Sequence, residues 1–246
     1  MDSTIKQAAQ WIKESRHAIA FTGAGVSVES GIPPFRGKDG LWSQYDPDSL
    51  DISRFHQRPQ QAWVVIKEIF YDFFGKAHPN KAHQVLARLE KDGMLKAVIT
   101  QNIDNLHQEA GSRNVVEFHG TAHKMVCTEC GKRVEASEVN LQQLPPHCSV
   151  CAGILKPDFI FFGEGIPEQA YTDSFSYAQE ADLVIIVGST GEVMPACMVP
   201  KEAKSRGARI IEINPEVSFF TKSVTDLHIK MKAGDAFELL EKACFD

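Results

Sequence analysis

Apolar residues at Ile5, Ala8, Ala9 and Ile12 recur with a helical period, which predicts a helix over residues 4–16 capped by Asp2 or Ser3. Ala18 to Phe21 is a short apolar run stopping at Thr22-Gly23-Ala24-Gly25, the pattern of a buried strand entering a glycine turn. Residues 26–58 are rich in Gly, Pro, Asp and Ser, and no regular element is expected there. Trp63, Val64, Ile66, Ile69, Phe70 and Phe73 predict a very apolar helix over 60–74. A further helix over 80–90 carries Asn80 as its cap and Gly93 beyond its end.

Strands are expected at 95–100, 115–118, 182–187 and 210–213, with helices at 104–110, 195–206 and 235–244. The strands are continuous apolar runs alternating with helices, so the class is α/β, a parallel sheet covered on both faces. Such sheets bind ligands outside the carboxyl ends of their strands. The polar and glycine-rich signals sit at those ends: Gly23-Ala24-Gly25, Gln101-Asn102, His119-Gly120, Gly188-Ser189-Thr190 and Asn214.

Composition adds bounds. With 43% hydrophobic and 24% charged residues the chain is neither disordered nor low-complexity. A net charge of −6 gives no overall attraction to nucleic acid. No run approaches the roughly 18 apolar residues of a membrane helix, and the first residues lack a signal-peptide pattern. A cytoplasmic protein that enters no membrane is expected.

Cys127-x2-Cys130 and Cys148-x2-Cys151, 17 residues apart, form two knuckles. Each places two thiolates on one turn, and together they complete a tetrahedron suited to zinc. Four protein ligands leave no open position, so the metal is expected to be structural. A pair of redox dithiols is the alternative. His123 and His147 flank the knuckles and read as surface histidines. Cys197 reads as core, and no cysteine reads as a nucleophile.

Gly23-Ala24-Gly25 suits close approach to a pyrophosphate, but a dinucleotide fingerprint needs a third glycine where Val28 stands. His119 is a candidate base by position, Gln101-Asn102-Ile103-Asp104 a candidate amide and ribose site or a helix cap, and Phe35-Arg36 a loop aromatic–arginine pair.

Together these stretches, with Val26-Ser27, Glu29-Ser30-Gly31-Ile32-Pro33, Asn105-Leu106-His107, Phe162-Gly163-Glu164 and Ile213-Asn214, resemble in order the sirtuins, the silent-information-regulator family of NAD-dependent protein deacylases. The resemblance implies a Rossmann-like, doubly wound parallel sheet with a small zinc-binding domain inserted. Residues 1–120 and 157–246 would form the NAD domain, 26–79 would add a loop and helical module to the small domain, and 121–156 would form the zinc module. It implies that NAD is consumed as co-substrate, the acyl group of an acyl-lysine passing to ADP-ribose with release of nicotinamide and O-acyl-ADP-ribose. Gly23, Ala24, Gly25, Phe35, Arg36, Gln101, Asn102, Ile103, Asp104, His119, Gly188, Ser189, Thr190, Asn214 and Ala233 would hold NAD. His119 would be the general base, with Asn102 and Asp104 in the catalytic set. Ile160, Phe162, Gly163, Glu164 and Val193 would receive the substrate peptide by strand addition.

Pro34 and the Gly191-Glu192-Val193-Met194 stretch depart from the family pattern, the latter bearing on peptide preference. The stretch Ala62 to Phe70 lacks the Arg and Tyr of the desuccinylase branch, so an apolar acyl pocket is expected. A long-chain deacylase or mono-ADP-ribosyltransferase would use the same scaffold. A plain nicotinamide oxidoreductase gives no reason for the zinc knuckles. A nucleic-acid-binding zinc module would need a basic segment, yet Lys124, Lys132, Arg133 and Lys156 are offset by Glu129, Glu135 and Glu138. A monomer acting on acylated protein, without nucleic acid, is the expected state.

Overall fold

The computed structural model describes residues 3–35, 40–73 and 76–246. Six strands, β1 (Ala18–Thr22), β2 (Ala97–Thr100), β3 (Val115–Glu117), β7 (Leu183–Val187), β8 (Arg209–Ile213) and β9 (Leu227–Ile229), form one sheet in the order β3-β2-β1-β7-β8-β9. Every pairing in it is parallel. The chain order runs outward from β1 on one side and from β7 on the other, so the topological switch lies between them. That is where a doubly wound sheet opens a crevice for a ligand.

The strands are aliphatic and buried because helices cover both faces. On one face α1 (Ser3–Glu14), α4 (Lys81–Lys91) and α8 (Ala233–Phe245) bury Ile5, Ile12, Val85, Leu86, Phe237 and Leu240. On the other, α6 (Glu168–Glu180) and α7 (Met198–Ser205) pack Ala178, Val199 and Ala203 against Ile19, Val184 and Ile186. The Asn80 cap of α4 forms a full capping box with His83.

A second sheet has the order β5-β4-β6, from β4 (Gly120–Cys127), β5 (Arg133–Glu135) and β6 (Leu155–Phe159), and is antiparallel throughout. The segment after the glycine turn packs on it. Trp63 Nε1 donates to the Leu155 carbonyl at 2.8 Å and the Tyr71 hydroxyl to the Ala122 carbonyl at 3.0 Å. Phe55, Phe70, Phe159 and Phe161 complete an aromatic core.

Four expectations change. Residues 26–58 are not devoid of regular structure: short helical turns occupy Ala24–Ser30, Leu41–Ser43 and Pro47–Leu50, and α2 covers Ile52–Gln57. The turn at 47–50 and α2 start where Asp46 and Asp51 accept backbone amides, a capping signal without apolar periodicity. The helix expected over 60–74 divides into α3 (Pro59–Ile66) and a π-helical segment, Lys67–Phe73. The helix expected over 195–206 begins at Met198, after a turn. Finally, α6 and β9 went unforeseen, as did the three strands of the second sheet. Helix α6 is polar, with only Ser174 and Ala178 buried, and β9 is a three-residue edge strand. Asp2, named as a possible cap, lies outside the described residues.

Candidate functional site

Strand β1 ends at Thr22, and the chain turns at Gly23 directly beside the end of β7. The Gly23 amide donates to the Val187 carbonyl at 3.0 Å, and the Gly25 amide to the Gly188 carbonyl at 2.9 Å. These two donors therefore serve the fold. What the glycines supply to a ligand is proximity. A Cβ on Gly25 would stand 2.5 Å from Gly188 Cα, and one on Gly188, where φ is +61°, would stand 2.4 Å from the Gly25 carbonyl carbon. On Gly23 it would meet the Gly188 carbonyl, Ser189 Cβ and Gln101 Nε2 at 2.9, 3.0 and 3.1 Å. The glycine turns after β1 and β7 are thus packed backbone against backbone at the switch point, a cradle in which any side chain would collide.

Gln101 ties this cradle to the next strand. Its Nε2 donates to Ser189 Oγ at 2.9 Å, and its carbonyl is 3.0 Å from His119 Nδ1. A carbonyl only accepts, so Nδ1 carries the proton and Nε2 is left with its lone pair. Burial pushes the His119 pKa below the ordinary histidine value, and the Gln101 contact offsets this in part. The imidazole is therefore neutral and basic at neutral pH. Asn214 Nδ2 donates to the Ser189 carbonyl at 3.2 Å, which brings β8 into the same site.

A buried polar cluster lies beneath. The Asp104 carboxylate accepts from Ser27 Oγ at 2.7 Å, Asn102 Nδ2 at 3.3 Å and the Leu106 amide at 3.1 Å, the last at the start of α5 (Leu106–Glu109). Asn102 Nδ2 also reaches Ser27 Oγ at 3.1 Å. Asp104 thus accepts an amide at the start of α5, whose N-cap position is Asn105, and joins this cluster as well. The His83 and His107 rings meet edge-on at 4.8 Å. Burial lowers the pKa of His83 to about 4, partly countered by Asp104, and that of His107 well below the ordinary value. Ser27, His83 and His107 were not singled out from sequence. Ser27 and His107 lie in quoted motifs, whereas His83 sits on a helix with no local pattern to mark it.

Other expected residues lie at the rim. Ile103 is buried and its carbonyl accepts the Ala122 amide. The Ile160 amide donates to the His119 carbonyl at 2.9 Å, placing β6's end beside that residue. Phe35 and Phe162 both pack against Trp42, at 5.5 and 6.1 Å between ring centroids. Thr190 points its hydroxyl to Glu192 rather than into the cradle, at 3.2 Å. The Val193 carbonyl accepts the Cys197 amide. Ala24 lies inside the turn, and Ala233 opens α8, where Glu29 accepts the neighbouring Gly234 amide at 2.6 Å. Arg36 lies outside the described residues.

The four knuckle thiols converge, with all sulfur atoms within 4.8 Å of one another. Cys127 and Cys151 sulfurs are 3.4 Å apart and Cys130 and Cys148 3.8 Å. A zinc–sulfur tetrahedron has edges of roughly 3.8 Å, so the donor set fits zinc. His123 and His147 are exposed, and Cys197 is buried, as read from sequence.

The Sir2 family model matches residues 23–195. An NAD-dependent protein deacylase of Aeropyrum pernix is 44% identical over 240 residues, 97% of each chain. One of Thermococcus kodakarensis is 45% identical over 247 residues, covering 97% of this chain and 95% of the relative. A solved Sir2 homologue in an NAD complex superposes with a TM-score of 0.89 at 39% identity, covering 99% of this chain and 94% of that one. A Sir2 structure with a deacetylated peptide and O-acetyl ADP-ribose does so at 0.91 and 33%, covering 97% of both. With a cradle at the switch point, a neutral histidine beside it and a four-thiol cluster on the second sheet, the chain belongs to the Sir2 family.

Proposed function

We propose that the chain is an NAD-dependent protein deacylase that transfers the acyl group of an acyl-lysine to ADP-ribose. One observation carries this: Gln101 joins the glycine cradle to His119, so the nucleotide site and the base are built on a single residue. Bound there, NAD supplies a ribose carbon bearing nicotinamide as leaving group, and it is consumed.

The residues divide the work. Gly23, Ala24 and Gly25 admit the pyrophosphate; Gly188, Ser189, Asn214 and Ala233 hold the adenosine half. Phe35 and Arg36 belong to the loop over the cofactor. Gln101 and Asn102 reach the nicotinamide ribose, and Ile103 and Asp104 shape the nicotinamide pocket, with Ser27 fixing the Asp104 carboxylate. His119 Nε2 takes the proton of a ribose hydroxyl, because its other nitrogen is already committed. Substrate peptide lies along Gly163-Glu164 and Val193. Among the described residues, neither the amide nor the carbonyl of Gly163 has a hydrogen-bond partner in the protein, which suits strand addition.

Zinc in the four-thiolate site would be structural, since no coordination position remains for water. Thiolate ligation also supports a reducing, cytoplasmic setting. Ala62, Ile66, Ile69 and Phe70 are buried apolar residues, which supports acetyl or longer aliphatic groups over carboxylate-bearing ones. A panel of acetyl-, butyryl- and succinyl-lysine peptides with NAD, read by mass spectrometry, tests the reading. Nicotinamide and O-acyl-ADP-ribose should appear with the first two and not with the third.

A further inference from the structure

Lys156 is 6% exposed, an unusual state for an ammonium. It stands on β6, paired with Val126 of the thiol-bearing strand β4. Its three donor hydrogens are matched by three oxygens: the Pro157 carbonyl at 3.0 Å, the Phe159 carbonyl at 2.7 Å and Glu164 Oε2 at 3.0 Å. Nζ also lies 4.1 Å from the centroid of the Phe161 ring. A saturated ammonium has nothing left to offer a substrate, so Lys156 must act through what it holds.

It holds the turn Phe161–Glu164. The Glu164 oxygen that pairs with Lys156 also accepts the Phe161 amide at 2.7 Å, while the Glu164 amide returns to the Phe161 carbonyl at 3.0 Å. Gly163 takes φ +90° inside this turn. On its outer side the turn is fixed by Phe162, whose amide donates to the Leu50 carbonyl and whose carbonyl accepts the Ile52 amide. With both flanks committed, Gly163 is left presenting its backbone. Burying a charged pair costs desolvation that an apolar residue of like size would avoid. The placement makes sense if it fixes geometry.

We infer that Lys156 is a positioning residue for substrate polypeptide: its buried ammonium holds Glu164, and through it the 161–164 turn, in the shape that presents Gly163 to the incoming strand. This rests on the reading that the Gly163-Glu164 segment receives the peptide. The assignment also links the thiol-bearing sheet to substrate binding without placing the metal near the chemistry.

Lys156→Met, Lys156→Gln and Lys156→Arg, made in the zinc-loaded full chain, decide it. In Lys156→Met the KM for an acetyl-lysine peptide should rise on the order of 10-fold or more, the weight of one charge-assisted hydrogen bond. The kcat, ADP-ribose affinity and zinc content should hold, and Lys156→Arg should recover most of the KM. Hydrogen exchange at the Phe161 and Glu164 amides should quicken in Lys156→Met and not in Lys156→Arg. If Lys156→Met does not fold, Lys156→Gln is measured in its place. An unchanged KM with unchanged exchange, or a joint fall of kcat, ADP-ribose affinity and peptide binding, would overturn the assignment. If the wild type shows no peptide-dependent turnover, the deacylase reading fails, while exchange still shows whether Lys156 holds the turn.

Discussion

Around the parallel sheet the core is mainly aliphatic: Ile19, Val98, Val184, Ile185, Ile186 and Ile211 are fully buried between helix layers, with Phe21, Phe118, Phe220 and Phe237 among them. Around the second sheet it is aromatic and chemically assisted. Trp63, Phe55, Phe70, Phe159 and Phe161 pack beside four thiols, and a buried lysine is enclosed with them. The first region buries its apolar residues between regular helix and sheet layers. The second has three short strands and several helical turns, too little regular structure for the same economy, and it draws on ligands and specific hydrogen bonds instead. The residues proposed to hold the nucleotide sit mostly on the first region, with Phe35 and Ile103 packed in the second, and the turn proposed to receive the peptide hangs from the second.

Removing one thiol should separate the two most sharply. Cys130→Ala, at an exposed knuckle position, should lose the metal and with it folding free energy on the order of 10 kcal/mol. Calorimetry should then resolve two transitions, the second sheet melting first, with no deacylation remaining. A single transition at the wild-type temperature, in protein shown to be metal-free, would mean that the thiols do not support that region.

His119→Ala should act on chemistry alone. Turnover should fall on the order of 10²–10⁴-fold, the usual weight of a positioned acid–base group, while ADP-ribose affinity and melting temperature hold. A folded variant turning over at the wild-type rate would remove His119 from the base role.

Gly188→Ala tests the packing of the cradle. The added carbon falls 2.4 Å from backbone atoms of Gly25, and the residue holds φ +61°. Overpacking and strain together should cost about 3 kcal/mol of stability, seen as a lower denaturant midpoint, and weaken ADP-ribose binding with it.

The smallest effect at neutral pH is that of the buried histidines. Folded His83 has its pKa lowered from 6.5 to about 4 by burial. Between those values the unfolded chain takes up a proton that the folded chain refuses. Stability is therefore full above pH 6.5 and falls toward pH 4, by up to ~3 kcal/mol from this group. Urea midpoints across that window should fall with acid, and His83→Asn should flatten the slope. An unchanged slope in that variant would place the acid sensitivity elsewhere.

The sheet was readable because its strands, such as Leu183–Val187, are unbroken apolar runs ending in glycine, and its strand ends announced the cradle. The four cysteines were readable from spacing alone. By contrast α6 escaped because it buries so little, with Ser174 and Ala178 its buried residues. The stretch from 41 to 57 escaped because aspartate caps rather than periodicity define its turns. Ser27, His83, His107 and Lys156 take their meaning from partners far along the chain, as when Ser27 meets Asp104 across 77 positions. No local pattern encodes such contacts.

The central claim is that the cradle, the base and the peptide edge form one catalytic site. The direct measurement is nicotinamide release from NAD by zinc-loaded protein, with and without an acetyl-lysine peptide. Release should require the peptide, be matched by O-acetyl-ADP-ribose and deacetylated lysine in equal amounts, and be lost in His119→Ala. Release independent of the peptide, or none with it, would contradict the account.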